Sequence, residues 1–213
     1  MQQSDLFGPE SNGHDADVVN YPLIDGELIL YKNVFSPLQA KHFFDVLMAE
    51  VIWQQDYLNF GGKSITIPRL QAWYGDAETA YTYSGLTLHP RPWSPALECI
   101  RQQVMTLAGE EFNSVLINRY RSGADSVAWH QDNEPELGQN PIIASVSLGA
   151  TRSFHLKHKR YKRGENQLRR IIDLPDNSLL LMRGSLQHHW YHQLPKTRDL
   201  VGERINLTFR RIL

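Results

Sequence analysis

Apolar positions recur with a helical period in two segments of the first half of the chain. Each segment opens with a Ser-Pro pair, at Ser36-Pro37 and at Ser94-Pro95, where serine is a favoured N-cap and proline suits the first helical position. The apolar faces consist of Ala40, Phe44, Leu47 and Val51 in the first segment and of Leu97, Ile100, Val104 and Leu107 in the second. The sequence therefore predicts two amphipathic helices, the second ending near Gly109.

From Ser114 onward the pattern changes to short β-rich runs separated by turn residues. The runs are residues 114–120, 126–132, 142–149, 152–159, 168–174, 178–182, 188–194 and 204–212. Eight strands of this length, with the helices mostly upstream, predict a double-sheet jelly roll with helices packed on one sheet. The expected fold class is α+β, mainly β.

The chain length of 213 residues and the single cysteine limit the class of protein. We expect one domain over residues 19–213 and a disordered polar tail over residues 1–18. One cysteine allows no internal disulfide, which favours a reducing compartment. No apolar run is long enough to span a membrane, and no secretory signal is recognisable. We therefore expect a monomer without membrane contact, cytoplasmic if the source is bacterial and nuclear if it is eukaryotic.

Charge is distributed unevenly along the chain, although the net charge is only −1. Between Arg152 and Arg170 there are eight Lys and Arg residues against one acid, Glu165. A local basic patch of this kind attracts a polyanion more than the chain total suggests. The alternative interpretation is a solvated hairpin tip without a partner.

The string His130-Gln131-Asp132 is the first candidate for chemistry. Residues i and i+2 of a strand share a face, so His130 and Asp132 could bind one metal. The same alternation gives His188 and His192 one face about sixty residues later, and either could be the third ligand. Two imidazoles and one carboxylate on one face of a six-coordinate metal are typical of non-heme Fe(II) oxygenases. A closed structural zinc site is disfavoured, because the chain has one thiol.

The last strand adds two arginines to this pattern. Its polar face carries Arg204, Asn206, Thr208 and Arg210, and its apolar face carries Ile205, Leu207 and Phe209. Asn118 and Tyr120 form a similar polar pair on the strand over residues 114–120. Buried arginines are costly unless they are paired with anions, and guanidinium groups match carboxylates geometrically. The pattern therefore predicts a bound dicarboxylate beside the metal.

Six sequence blocks carry a resemblance to a known family. They are PRLQAWYGD (68–76), YTYSGLTLHPRPW (81–93), LINRY (116–120), HQDNEPE (130–136), HHWYHQLP (188–195) and RINLTFRRIL (204–213). From about Tyr57 to Leu213 the chain resembles the AlkB family of Fe(II)/2-oxoglutarate dioxygenases, most of all the animal AlkB homologue 2 type that repairs duplex DNA. The resemblance implies a double-stranded β-helix core over about 114–213. It also implies an N-terminal nucleotide-recognition extension over about 57–93.

The resemblance implies His130, Asp132 and His192 as the iron ligands, and so selects His192 over His188. The implied cofactors are Fe(II), 2-oxoglutarate and O2, with ascorbate keeping the iron reduced. The implied 2-oxoglutarate contacts are Arg204 at the distal carboxylate, Tyr120 and Asn206 nearby, Thr208 on the same face, and Asn118 and Arg210 at the end that chelates iron. The resemblance implies a catalytic role for Arg210 as well, because it contacts the end of 2-oxoglutarate that chelates iron.

For the substrate, the resemblance implies DNA, or alternatively RNA, with an alkylated base flipped out of the stack. The implied contacts are Tyr81, Tyr83, Asn133 and Glu134 around the base, which is stacked between Tyr83 and His130, and Phe60, Gly61 and Lys63 at a finger that wedges into the duplex. Two positions depart from the family pattern. Gly61 stands where the duplex-acting relatives carry the aromatic finger residue, and Asn133 replaces an acidic residue. Phe60 could serve as the finger instead, or could be a core residue of a hairpin.

The implied reaction is oxidative demethylation of 1-methyladenine and 3-methylcytosine in DNA, with release of succinate, CO2 and formaldehyde. One alternative is a demethylase of RNA or single strands, in keeping with Gly61. A second is a protein hydroxylase or a binding module on the same scaffold. The base-pocket residues and the basic segment argue against this second alternative, and a complete triad argues against a role in binding alone.

Overall fold

A computed structural model describes residues 17–61, 63–79, 81–83, 86–88 and 90–213, without the side chains of residues 59, 60, 81–83 and 86–88. Residues 1–16 of the predicted disordered tail lie outside this description. The first strand begins at Asp17, two residues before the predicted boundary.

The two helices predicted from the Ser-Pro pairs are confirmed. They are α1 (Pro37–Glu50) and α2 (Pro95–Ala108), and a single turn, α3 (Leu186–His189), follows late in the chain. At the start of α1, the Ser36 hydroxyl accepts a hydrogen bond from the Gln39 amide and the Gln39 side chain accepts one from the Ser36 amide. Such a capping box typically stabilises a helix by about 1 kcal/mol. Gly109 ends α2 in a left-handed conformation, as expected.

The described residues form fifteen strands. In chain order they are β1 (Asp17–Leu23), β2 (Gly26–Lys32), β3 (Tyr57–Phe60), β4 (Lys63–Thr66), β5 (Leu70–Gly75), β6 (Tyr81–Tyr83), β7 (Leu86–Leu88), β8 (Ser114–Tyr120), β9 (Val127–His130), β10 (Ile143–Gly149), β11 (Arg152–His158), β12 (Arg169–Leu174), β13 (Ser178–Arg183), β14 (Trp190–Leu194) and β15 (Arg204–Arg210). All eight strands predicted after residue 114 are present. Strands β1, β2 and β5 were not predicted, although all three belong to the larger sheet.

Two antiparallel sheets build the body of the protein, as a jelly roll requires. The larger has seven strands in the order β1-β2-β13-β10-β15-β8-β5, and the smaller has four in the order β12-β11-β14-β9. Two separate hairpins, β3–β4 and β6–β7, precede α2. The last strand, β15, lies inside the larger sheet, where it pairs with β10 on one side and β8 on the other.

Two apolar cores cover the two faces of the larger sheet. On one face the helices pack against it, so that Phe43 of α1 and Ile100 of α2 share a core with the apolar face of β15. On the other face a second core joins it to the smaller sheet through residues such as Leu30 and Trp190. The polar residues of β15 therefore face the space between the sheets, as the alternation of that strand predicts.

The structure corrects two local predictions near the candidate ligands. Strand β9 ends at His130, so Asp132 lies just beyond the strand. His188 and His189 belong to the helical turn α3, and the strand of this segment begins only at Trp190. The predicted alternation of His188 and His192 on one strand face is therefore wrong, because the helical turn rotates His188 away. His188 instead accepts a hydrogen bond from the amide of Asn140.

None of the described helices is long and apolar enough to cross a membrane.

Candidate active site

Three side chains from two neighbouring strands meet at one end of the smaller sheet. His130 and His192 are register partners on β9 and β14, and their rings lie 4.2 Å apart. Nε2 of His192 lies 3.9 Å from Oδ2 of Asp132, and potential ligand atoms of all three residues lie within 4.8 Å of one another. Two imidazoles and one carboxylate at this spacing could hold one divalent metal ion.

The local environment keeps these three groups in the protonation states that bind a metal. Burial, followed by the nearby charge of His130, lowers the pKa of His192 to about 3. Burial also lowers the pKa of His130. Burial alone would raise the pKa of Asp132, but Arg210 and the two histidines outweigh it and lower that pKa to about 2. Neutral imidazoles and an ionised carboxylate therefore face each other at neutral pH, as metal binding requires.

Hydrogen bonds orient the ligands. Nδ1 of His130 lies 2.9 Å from the carbonyl oxygen of Ala128, which can only accept, so this nitrogen carries the proton and Nε2 keeps its lone pair. On the other side, a guanidinium nitrogen of Arg210 donates to Oδ1 of Asp132 at 3.0 Å. That contact leaves Oδ2 of Asp132 facing His192.

A second buried arginine lies further along the same face of β15. Arg204 is 2% exposed and donates to the Ser147 hydroxyl at 2.9 Å. Its guanidinium lies 5.1 Å from the ring centre of Tyr120. Burial lowers the pKa of Arg204 to about 10, so the group stays charged at neutral pH. Among the described residues no carboxylate pairs with Arg204, and its Nε lacks a hydrogen-bond partner.

All the residues predicted from the last strand and from β8 line one pocket, which they share with the three candidate metal ligands. Asn206 donates to the Ser145 hydroxyl and accepts from Thr208. Asn118 accepts a hydrogen bond from Arg69 at 2.7 Å. The pocket thus combines the three candidate ligands with a buried cation that has no carboxylate partner in the described part of the chain. This donor set fits Fe(II) and a dicarboxylate.

Apart from His130, which lines this pocket, the residues predicted to contact the substrate lie outside its lining or outside the described residues. The side chains of Phe60, Tyr81 and Tyr83 are among those not described. Gly61 and Lys63 are exposed, at the turn of the β3–β4 hairpin and at the start of β4. Asn133 is exposed and Glu134 half-buried, immediately after Asp132.

The basic segment is not uniformly a surface feature. Arg152 is buried and donates to three backbone carbonyls, those of Ser122, Asp125 and Pro195. The exposed cations of the segment are Lys159, Arg160, Lys162, Arg163 and Arg169. The basic surface is therefore concentrated on the connection between β11 and β12 and at the start of β12.

A second cluster, made of Asp25, His158 and His189, also brings potential ligand atoms within 4.8 Å of one another. The amide of Arg160 donates to Nδ1 of His158, so the proton of that ring is on Nε2, which donates to Asp25 at 3.2 Å. Arg160 also contacts the same Asp25 oxygen at 3.3 Å. His158 has no lone pair to offer, and the cluster is a hydrogen-bonded tie between the β1–β2 turn and β11.

Sequence reasoning missed two buried polar residues beside the ligands. Arg69 is 5% exposed, lines the pocket and holds Asn118. Gln187 is fully buried in α3 and accepts a hydrogen bond from the amide of Asp132 at 3.0 Å. Arg69 stands in a block that the family resemblance contains, so its position could have been noticed. Gln187 carries no comparable signal, because its contact spans 55 residues.

Comparison with known families agrees with the fold and the pocket. The model of the 2OG-Fe(II) oxygenase superfamily matches residues 27–210, so the chain belongs to this superfamily. Human DNA oxidative demethylase ALKBH2 is 42% identical over 213 residues, which cover 96% of this chain and 81% of the relative. Bovine and murine proteins of the same name are each 43% identical over 190 residues. Within the superfamily, the chain is thus an AlkB-family protein of the ALKBH2-like type.

Two further comparisons widen this picture. Human alpha-ketoglutarate-dependent dioxygenase alkB homolog 3 is 39% identical over 188 residues, which cover 86% of this chain and 65% of the relative. A solved structure, that of OsALKBH1, matches with a TM-score of 0.58 at 16% identity, covering 91% of this chain and 100% of that one. At that identity the similarity supports the fold alone.

Proposed function

We propose that this protein is an Fe(II)/2-oxoglutarate-dependent dioxygenase that removes methyl groups oxidatively from alkylated bases in DNA. One observation carries the proposal: the His130–Asp132–His192 cluster shares a pocket with Arg204, a buried cation that lacks a carboxylate partner among the described residues. The likeness to the DNA oxidative demethylase ALKBH2 supports DNA as the substrate, and the likeness to the alpha-ketoglutarate-dependent dioxygenase alkB homolog 3 supports 2-oxoglutarate as the cosubstrate. The lesions we propose are 1-methyladenine and 3-methylcytosine.

In this proposal His130, Asp132 and His192 hold the iron, and Arg204 binds the distal carboxylate of 2-oxoglutarate. When bound, Fe(II) and 2-oxoglutarate supply the oxidising chemistry with O2, releasing succinate and CO2. Arg210 keeps the Asp132 carboxylate ionised and fixes one of its oxygens. Asn118, Tyr120, Asn206 and Thr208 shape the cofactor subsite from the sheet, and apolar lining residues such as Leu116 and Phe154 limit access of water.

The proposed base site lies beside Asp132. Alkylation at these positions leaves a cationic base, which an aromatic face attracts by about 1–2 kcal/mol when desolvated. Tyr81 and Tyr83 are the proposed aromatic residues, and Glu134 adds a negative charge next to the metal ligands. Asn133 can hydrogen-bond the base but offers no charge. Residues 57–93, with their two hairpins, would form the nucleotide-recognition extension.

The hairpin turn is the reason for keeping single-stranded nucleic acid, including RNA, as a second candidate substrate. Gly61 adopts φ +58° at the turn of β3–β4, with open space around the position of a Cβ. The turn residue therefore offers no side chain for insertion into a duplex. Phe60 beside it is the remaining candidate for that role.

A direct assay tests the proposal. Purified protein is incubated with Fe(II), 2-oxoglutarate and oligonucleotides that carry 3-methylcytosine, in single-stranded and duplex form, and methyl loss is followed by mass spectrometry. We expect loss of 14 Da from the DNA strand, the mass of one CH2 group, with formaldehyde and succinate formed in equal amounts. No loss on either substrate would refute DNA repair, and a strong preference for the single strand would favour the second candidate.

We expect Phe60→Ala to reduce duplex repair more than single-strand repair, because only the duplex requires a wedge to hold the stack open. The measurement is kcat/KM on matched single-stranded and duplex oligonucleotides. Ile65→Ala is the control, since Ile65 is 50% exposed on the second strand of the same hairpin. Equal losses on both substrates with Phe60→Ala would contradict an intercalating role.

We expect Lys162→Gln to weaken DNA binding at low salt and to make the dependence on salt shallower by about one unit of log K per log [salt]. Lys162 is exposed on the β11–β12 connection. Binding releases about one counterion from DNA for each phosphate contact, so a variant that lacks one contact should release about one counterion fewer. The control is Lys41→Gln, the same change on exposed α1. Binding is measured by fluorescence anisotropy from 50 to 200 mM salt, a range set by the expected steepness. An identical slope of log K against log [salt] for both variants would show that Lys162 on the β11–β12 connection does not contact DNA.

A further inference from the structure

The middle residue of the His130-Gln131-Asp132 string has a defined structural partner. The side-chain amide nitrogen of Gln131 donates to the carbonyl of Gln187 at 2.8 Å and to that of Trp190 at 3.2 Å. The first carbonyl belongs to α3 and the second to Trp190, the first residue of β14, which is the strand of His192. The carbonyl of Gln187 lies within the one-turn helix α3, near an end where carbonyls lack intrahelical partners.

Gln187 makes the return contact. Its side-chain oxygen accepts a hydrogen bond from the amide of Asp132 at 3.0 Å, and the residue is fully buried. The amide nitrogen of the same side chain lies 3.6 Å from the sulfur of Met182, a weak acceptor. The strong contact of the Gln187 side chain is therefore the one to Asp132.

The two contacts connect the segments that supply all three candidate ligands. His130 and Asp132 lie on either side of Gln131, and His192 follows Gln187 by one short turn and the start of β14. Asp132 lies beyond the end of β9, so no ladder hydrogen bond of that strand fixes its backbone.

We propose that Gln131 and Gln187 form a reciprocal clasp that positions Asp132 against the two histidines. This inference rests on the proposed metal site and assigns to the two glutamines a positioning role in it. Gln187 fixes the backbone of Asp132 while Arg210 fixes its carboxylate, so the residue is held at both ends. Outer contacts of this kind typically change metal affinity 10- to 100-fold when they are lost.

Methionine substitutions test the clasp, because they keep the length of the glutamine side chain and remove its hydrogen bonds. The variants are Gln187→Met and Gln131→Met, and the control is Gln103→Met, which removes a side-chain to backbone contact on α2. Co(II) is titrated into metal-free protein, and its visible absorption gives the dissociation constant and reports the coordination geometry. Thermal unfolding of the same metal-free samples measures the structural cost.

We expect Gln187→Met and Gln131→Met to raise the Co(II) dissociation constant about 10- to 100-fold and to alter the absorption bands. Gln103→Met should bind Co(II) as the wild type does. Gln187→Glu, which keeps the acceptor oxygen, should bind more tightly than Gln187→Met. Wild-type affinity and spectrum in both methionine variants would overturn the clasp, and so would a lowered unfolding temperature without a change in Co(II) binding.

Two further results are decisive. If Gln187→Met does not fold, Gln131→Met alone decides, since Gln131 is only half-buried. If wild-type protein and Asp132→Ala bind Co(II) equally, the proposed metal site itself is wrong. That result differs from a failure of the clasp, in which the wild type binds Co(II) and Asp132→Ala does not.

Discussion

Replacing Asp132 by alanine is expected to abolish demethylation while DNA binding is largely retained. The change removes the only anionic group of the proposed ligand set, and the two imidazoles alone would hold Fe(II) poorly. DNA binding should largely persist because two of its proposed contact regions, the β3–β4 hairpin and the basic β11–β12 connection, lie away from Asp132. Turnover is measured with the 3-methylcytosine assay and binding by fluorescence anisotropy.

The stability of this variant needs its own control. Arg210 loses the carboxylate it contacts at 3.0 Å, and removal of one partner of a buried ion pair costs about 3–5 kcal/mol. Asp132→Asn keeps the shape and an oxygen for Arg210 but removes the charge, so it should fold better and still lose turnover. Retained turnover in either variant would show that Asp132 is not a metal ligand.

The second large effect is expected at Arg204. Arg204→Met should raise the KM for 2-oxoglutarate at least about thirtyfold, because loss of one partner of a buried charge pair costs about 2–5 kcal/mol. The KM for the DNA substrate should change little. Arg204→Lys should have a KM for 2-oxoglutarate between those of the wild type and Arg204→Met, since lysine keeps the charge but lacks the planar guanidinium group that matches a carboxylate.

Arg119→Met is the matched control for this experiment. Arg119 lies on β8 next to Tyr120, but it is half-buried on the other side of the strand and already pairs with Glu203 at 2.6 Å. We expect it to keep the KM for 2-oxoglutarate near the wild-type value. An equal rise of that KM in both variants would show that Arg204 acts through the stability of the sheet and does not contact the cofactor.

Local patterns predicted most of the elements that carry the site. The Ser-Pro caps located both long helices, and the alternation of β15 predicted which of its residues face the pocket. These predictions succeeded because caps and alternation depend on neighbours along the chain. Strand β2 was missed although Leu28 and Leu30 are its buried positions, because a short alternating run beside a polar tail gives a weak signal.

The remaining features depend on contacts between distant segments. The role of Gln187 rests on a hydrogen bond across 55 residues, which no local pattern encodes. Arg152 was included in the predicted basic patch, but its side chain is buried and donates hydrogen bonds to backbone carbonyls. A count of charges along the sequence does not show which of them are buried. The sequence pattern predicted a strand that included His188 and His189. In the structure these two residues belong to the helical turn α3.

The position of β15 inside the larger sheet has a consequence for how the protein is made. Ribosomes deliver the chain from its N-terminus, so β10 and β8 are synthesised long before the strand that joins them. Until β15 arrives, each of them presents an open edge that can pair with another nascent chain. Because Arg204 and Arg210 arrive on that same strand, assembly of the catalytic pocket and closure of these aggregation-prone edges are a single late event in biosynthesis.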